Sequence, residues 1–135
     1  NVGALYPAIE LPDSRFLNFA KMGGPSLIAD NACAHEFVLG DEVKSDWRSL
    51  DLSQHRLSVR CDDKANCEGI GANVFGDPRI ALTWIANELN TYGLMLRAGE
   101  TITTGTCVVP FALEAGKNYT ADFGVLGAVS VSFKE

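Results

Sequence analysis

Only one stretch of this chain carries the spacing of a long helix, and turns marked by glycine or proline divide the rest into short pieces. Ile80, Leu82, Trp84, Ile85 and Leu89 place apolar residues along 78–92 at helical spacing. Asp77 is a good N-cap, because its side chain can accept from an otherwise unpaired N–H of the first turn. Pro78 at the first helical position has a fixed φ that suits the helix. Gly93 sits where a helix end often needs a left-handed residue.

The remaining pieces read as strands. Leu5 to Leu11 is apolar and delivers Glu10 to its end. Asp13 to Phe19 reads as a helical turn, Met22 to Pro25 as a break, and Ser26 to Cys33 as a short helix or turn. Glu36 to Gly40 is a strand. Arg56 to Arg60 alternates as a half-buried strand does, and Glu68 to Phe75 returns from a turn at Asp62 to Asn66. Thr101 to Thr104, Cys107 to Leu113, Asn118 to Phe123 and Ala128 to Phe133 are rich in β-branched and aromatic residues between glycines, which predicts four more strands. One main helix on many short strands gives an α+β class with a β-dominated core, in a single domain spanning 1–135.

Composition narrows the function. Hydrophobic residues are 47% and charged residues 21%, an ordinary composition for a folded soluble domain. The formal net charge is -6 and the basic residues are scattered, which argues against nucleic acid, since phosphates are held by clustered Lys and Arg. No apolar run approaches the ~20 residues that a membrane helix needs. The start, Asn1-Val2-Gly3, has neither an initiator Met nor a secretory pattern and reads as a processed or truncated end. Cys33, Cys61, Cys67 and Cys107 include no C-x-x-C pair, so four reduced thiols in a cytoplasmic protein is the expectation. A Cys61–Cys67 bridge across the hairpin is the alternative.

Few residues suggest chemistry. Glu10 lies in Ala8-Ile9-Glu10-Leu11, where a carboxylate is costly unless it is paired, metal-bound or turned to solvent by strand alternation. Asp30-Asn31 reads as an Asx turn or a pocket edge. Thr103 to Thr106 is either an ordinary turn or a place where N–H and hydroxyl groups meet a carboxylate. Cys33 and His35 share a strand face but have no orienting third group, so they make a weak nucleophilic pair. Gly69-x-Gly71 is too short for a nucleotide fingerprint and reads as hairpin glycines, and Asn118-Tyr119-Thr120 reads as strand rather than sequon.

Taken together, six segments resemble one family, among them Phe37-Val38-Leu39-Gly40, which is similar to one of its strands. Pro7-Ala8-Ile9-Glu10-Leu11-Pro12-Asp13-Ser14-Arg15 is similar to the P-A-[IL]-E-[IV]-x-[DG]-S-R motif of 2-keto-4-pentenoate hydratases, and Ala29-Asp30-Asn31-Ala32 to their A-D-N-A. Phe75 to Asn87 is similar to L-G-H-P-L-x-A-x-x-W-L-A-N, and Leu96 to Gly105 to L-K-A-G-[DE]-x-[IV]-L-[ST]-G. Asp122 to Val131 is similar to D-F-G-x-L-G-x-V-x-V. In order along nearly the whole chain, these resemble the carboxyl-terminal half of the 2-keto-4-pentenoate hydratase and 4-oxalocrotonate decarboxylase branch of the fumarylacetoacetate hydrolase superfamily.

That resemblance implies a mixed β-sandwich or roll, and a Mg²⁺- or Mn²⁺-dependent enzyme acting on a small 2-oxo acid. It implies Glu10 as the last of three metal carboxylates. It implies Asp30, Asn31 and Cys33 at the pocket edge, and Thr104, Gly105 and Thr106 at the turn that approaches the substrate carboxylate. Hard divalent cations prefer oxygen ligands, and as Lewis acids they stabilise enolate-like charge. The family's E-x-E metal pair, with its proton-transfer Lys and carboxylate, lies upstream of the matching glutamate. Only nine residues precede Glu10, so the catalytic residues are expected upstream of residue 1. Cys33 stands in place of a usual Ser, Asp77 in place of a usual His, and His35 among residues that are usually small. The expectation is therefore an incomplete hydratase or decarboxylase segment, completed by a homo-oligomer or a partner chain. An acylpyruvate hydrolase is one alternative. A non-catalytic paralogue serving as a carboxylate-binding or dimerisation module is the other.

Overall fold

Side-chain alternation along the strands builds two antiparallel sheets that face one another. In the computed structural model, which describes residues 2–134, β1 (Ala8–Leu11) pairs with β2 (Glu36–Leu39). Asn1, part of the start read above, lies outside the described residues. The larger sheet contains β3 (Arg56–Cys61), β4 (Lys64–Ile70), β5 (Asn118–Asp122) and β6 (Ala128–Ser132), in the order β4-β3-β5-β6. On β3, Leu57 and Val59 are buried while Arg56 and Arg60 face outward, as a period of two requires. They join Ala121 and Val129 in the core, and Ile9 and Val38 of the small sheet pack against that cluster. A second cluster of Val43, Leu52 and Leu126 fills one end.

The β3–β4 hairpin turns at Asp62 and Asp63, tighter than the turn predicted from the sequence. Its register shifts between Val59 and Arg60, which places Cys67 opposite Val59 and Cys61 opposite Lys64. The two thiols are thus not cross-strand partners, and all four cysteines are free. β4 ends at Ile70 rather than Phe75, because Gly71 to Asn73 turns into a short 3₁₀ segment.

Two predicted strands are absent. Thr101–Thr104 keeps an alternating burial pattern but forms no strand. Cys107–Leu113 crosses the end of β4, where Ile70 N–H donates to the Cys107 carbonyl at 3.3 Å. The Thr106 hydroxyl accepts from Val108 N–H and donates to the Val108 carbonyl, taking groups that a ladder would need. Pro110 then offers no N–H.

The helix α2 (Pro78–Thr91) forms where it was read, and Asp77 caps it by accepting from Arg79 N–H at 2.8 Å. Gly93 takes φ +71° and Leu94 N–H donates to the Leu89 carbonyl, a left-handed stop. Asp77→Ala should lower unfolding stability by about 1 kcal/mol, read from the denaturant midpoint. The apolar stripe splits into two faces. At about 100° per residue, Leu82, Ile85 and Leu89 share a half-buried side, while Ile80 and Trp84 lie nearly opposite. Ile80 is 56% and Trp84 61% exposed. Among the described residues no helix is long and apolar enough to cross a membrane.

Candidate functional site

Glu10 faces away from the core because its neighbour Ile9 faces into it. Its cross-strand partner is Phe37, and its side chain is exposed. Exposure here does not mean an isolated carboxylate on a flat surface. Glu10 and Pro12 form one wall of an open cleft of about 510 Å³. Phe19, Leu27, Ala32 and Cys33 also line the cleft. Phe19 lies in the segment before α1 (Gly24–Ala29), and Leu27 lies on α1 itself, which Pro25 starts.

Beside the cleft the backbone is strained. Asn31, Ala32 and Cys33 take φ of 54°, 53° and 62°. Asn tolerates the left-handed region, whereas Ala and Cys meet their own Cβ there, at about 1–2 kcal/mol per residue. Two local bonds and one tertiary bond hold the turn. Cys33 N–H donates to the Asp30 carbonyl at 3.1 Å, Ala34 N–H to Asn31 at 3.0 Å, and Asp13 N–H to the Cys33 carbonyl at 2.9 Å. The last bond ties the strained turn to the end of β1, next to Glu10. Strain held this way concentrates at functional sites.

Asp30 is the buried anchor of this arrangement, 3% exposed. The Ser14 hydroxyl donates to its Oδ2 at 2.6 Å, and Arg15 Nε lies 2.9 Å from Oδ1. Arg15 N–H also reaches Oδ1, at 3.3 Å. These donors engage both oxygens, so Asp30 positions the 13–16 loop rather than facing the cleft. The Ser14 hydroxyl chiefly holds the Asp30 pKa below its ordinary 3.8; burial opposes it, and the Arg15 N–H and charge assist. Asp51, Asp62 and Asp77 are lowered in the same direction, mainly by Ser53, Lys117 and Arg79. A lowered folded pKa contributes stability above the unfolded value and loses it as pH falls through the folded one. Unfolding midpoints should therefore fall as pH drops below 3.8, with no loss from these four groups above roughly pH 5, as far-ultraviolet circular dichroism would show.

The structure brings together only part of the predicted set. Glu10 and Cys33 share the cleft, with Asn31 in the same turn and Asp30 behind it. Thr104, Gly105 and Thr106 do not line it. Gly105 (φ +117°) sits beside Val74, near the Asn73 amide that donates to the Cys107 carbonyl at 2.7 Å. His35 is exposed, and His55 Nε2 bonds the Phe123 carbonyl at 2.7 Å rather than a thiol. Sequence reading gave Ser14 and Arg15 no role. Their signal was their place directly after the Glu10 strand.

The exposed Glu10 carboxylate offers oxygens of the kind a divalent cation takes. Among the described residues no group of three or more His, Cys, Asp or Glu is placed to hold a metal ion. Hard cations take six or more oxygens, so one carboxylate does not by itself make a metal site.

No family model matches the chain. It is 32% identical over 129 residues to the 2-hydroxyhexa-2,4-dienoate hydratase of Comamonas testosteroni, covering 96% of this chain and 48% of that protein. It is 34% identical over 128 residues to the 2-keto-4-pentenoate hydratase of Paraburkholderia phymatum, covering 95% and 48%. The fold superposes on the 4-oxalocrotonate decarboxylase from Pseudomonas putida G7, complexed with magnesium and adipate, with a TM-score of 0.84. That match is 30% identical and covers 96% of this chain and 49% of the decarboxylase. The chain thus spans about half the length of the relatives it matches.

Proposed function

Because this chain is homologous over nearly its whole length to the 2-keto-4-pentenoate hydratases and 4-oxalocrotonate decarboxylases, we propose that it forms part of a divalent-metal-dependent lyase of 2-oxo acids. Hydration of a 2-hydroxypenta-2,4-dienoate-type substrate is the leading reading, with decarboxylation as its close relative. The observation that carries it is the Glu10 carboxylate on a cleft wall, tied through Asp13 to the strained turn at Asn31–Cys33. The magnesium and adipate of the decarboxylase complex support a carboxylate ligand beside a cation.

In this reading Glu10 supplies one oxygen to Mg²⁺ or Mn²⁺. When bound, the cation stabilises the enolate-like charge that develops on a chelated 2-oxo acid. Asp30 holds Ser14 and Arg15, and so fixes the loop that leaves β1 just past Glu10. The Asn31–Cys33 turn shapes the substrate side of the cleft, while Phe19 and Leu27 give it an apolar wall suited to a carbon chain. Thr104, Gly105 and Thr106 are assigned to the substrate carboxylate on the motif resemblance. No proton-transfer group is assigned among these residues, and the chain would act in the cytoplasm as part of a larger assembly.

The complete gene product, supplied with 2-hydroxypenta-2,4-dienoate, should remove the ultraviolet absorbance of the conjugated dienol, because hydration breaks the conjugation. Loss should require Mg²⁺ or Mn²⁺ and stop with a chelator. Release of carbon dioxide from 4-oxalocrotonate with no loss of the dienol would assign the decarboxylase instead. Neither reaction in the presence of metal would overturn the proposal.

A further inference from the structure

The cleft that Glu10 lines is chemically one-sided. Its lining holds one charged side chain, Glu10, and one other group able to donate, the Cys33 thiol, which does so weakly. Among the described residues no Lys, Arg or His lines it. Arg15 Nε is paired with Asp30 at 2.9 Å, and Lys21, next to Ala20, is exposed and not part of the lining.

The backbone donors around the cleft are spent as well. Cys33 N–H and Ala34 N–H close the turn onto the Asp30 and Asn31 carbonyls, and Leu27 N–H donates to the Gly23 carbonyl at 3.1 Å. Pro25 brings no N–H to the start of α1. What remains of the lining is apolar. Phe19 is 56% and Leu27 39% exposed, two large side chains that the fold leaves wet, and Pro12 and Ala20 stand beside them.

These surroundings treat the two ends of a 2-oxo acid differently. Carbon laid on Phe19 and Leu27 takes apolar surface out of water, and each methylene so buried strengthens binding roughly fourfold. A carboxylate in the same place gives up its hydration and finds no donor in return. We propose that the substrate ends, away from its 2-oxo acid head, in an alkyl group rather than a second carboxylate, and that Phe19 and Leu27 select it. The inference rests on the lyase reading, which places the head at a cation on Glu10. It also separates the two branches of that reading, because 4-oxalocrotonate carries a carboxylate at each end.

Calorimetric titration of saturated 2-oxo acids into the complete gene product with Mn²⁺ reads the preference without turnover. From 2-oxobutanoate through 2-oxopentanoate to 2-oxohexanoate, affinity should rise roughly fourfold per methylene. 2-Oxoadipate, equal in length to 2-oxohexanoate but ending in a carboxylate, should bind at least about tenfold more weakly. Phe19→Ala combined with Leu27→Ala should flatten the series, and Phe19→Arg should reverse the order of the two acids of equal length. A flat series in the unaltered protein, or 2-oxoadipate bound as tightly as 2-oxohexanoate, would overturn the inference and leave the lyase reading standing. So would an undiminished rise with tail length in the double variant. No metal-dependent binding of any of these acids would instead overturn the lyase reading itself.

Discussion

Gly71→Ala is expected to destabilise the fold by roughly 3 kcal/mol or more, a shift of about 150-fold in the folding equilibrium. A Cβ at Gly71 would lie 1.8 Å from the Leu52 carbonyl oxygen and 2.9 Å from its carbon, so backbone must move. That backbone is not free to move. Gly71 N–H donates to the His55 carbonyl at 2.9 Å and Ala72 N–H to Ser53 at 2.8 Å, while Leu52 is buried with Val43 and Leu126. His55 in turn bonds the Phe123 carbonyl. Shifting the 52–55 loop therefore breaks β4's exit and the second core cluster together. Gly24→Ala is the control, since its Cβ would meet nothing within 4 Å and its φ is ordinary. Urea unfolding should show the large loss for the first variant and none for the second.

Glu10→Gln should weaken Mn²⁺ binding by the complete gene product by about two orders of magnitude, because divalent affinity follows the charge and number of oxygen ligands. The free Mn²⁺ signal in electron paramagnetic resonance measures it. The substitution keeps the shape of an exposed side chain on β1, so the unfolding midpoint should not move. Cys33→Ser separates a ligand from a wall. It restores the residue that hydratases resembling this chain usually carry, and it should leave Mn²⁺ affinity within about twofold.

What the sequence made legible was local. Asp77-Pro78 and Gly93 marked both ends of α2, because caps are set by residues next to them. Alternation marked β3 and β5, whose buried positions fall every second residue. The errors came where pattern lacked a partner. Thr101–Thr104 alternates in burial, yet no neighbouring strand reaches it. Cys107–Leu113 is apolar because Cys107, Val108 and Phe111 pack on the core while the Thr106 side chain occupies its backbone. Glu10 stood out as a charge in an apolar run, and strand alternation turns it outward, exposed and lining an open cleft. The strain at Ala32 and Cys33 was invisible. Neither residue favours the left-handed region, and the bond that ties the turn to the rest of the fold comes from Asp13, a distant group that no local pattern names. Ser14 and Arg15 were hidden likewise, because their partner Asp30 is 15 or 16 residues away.

Calorimetric titration of oxalate, a mimic of the 2-oxo acid head, into the complete gene product tests the central claim most directly. The account predicts heat of binding in the presence of Mg²⁺, none after chelation, and none in the Glu10→Gln variant. Oxalate binding that is indifferent to both the metal and Glu10 would contradict it.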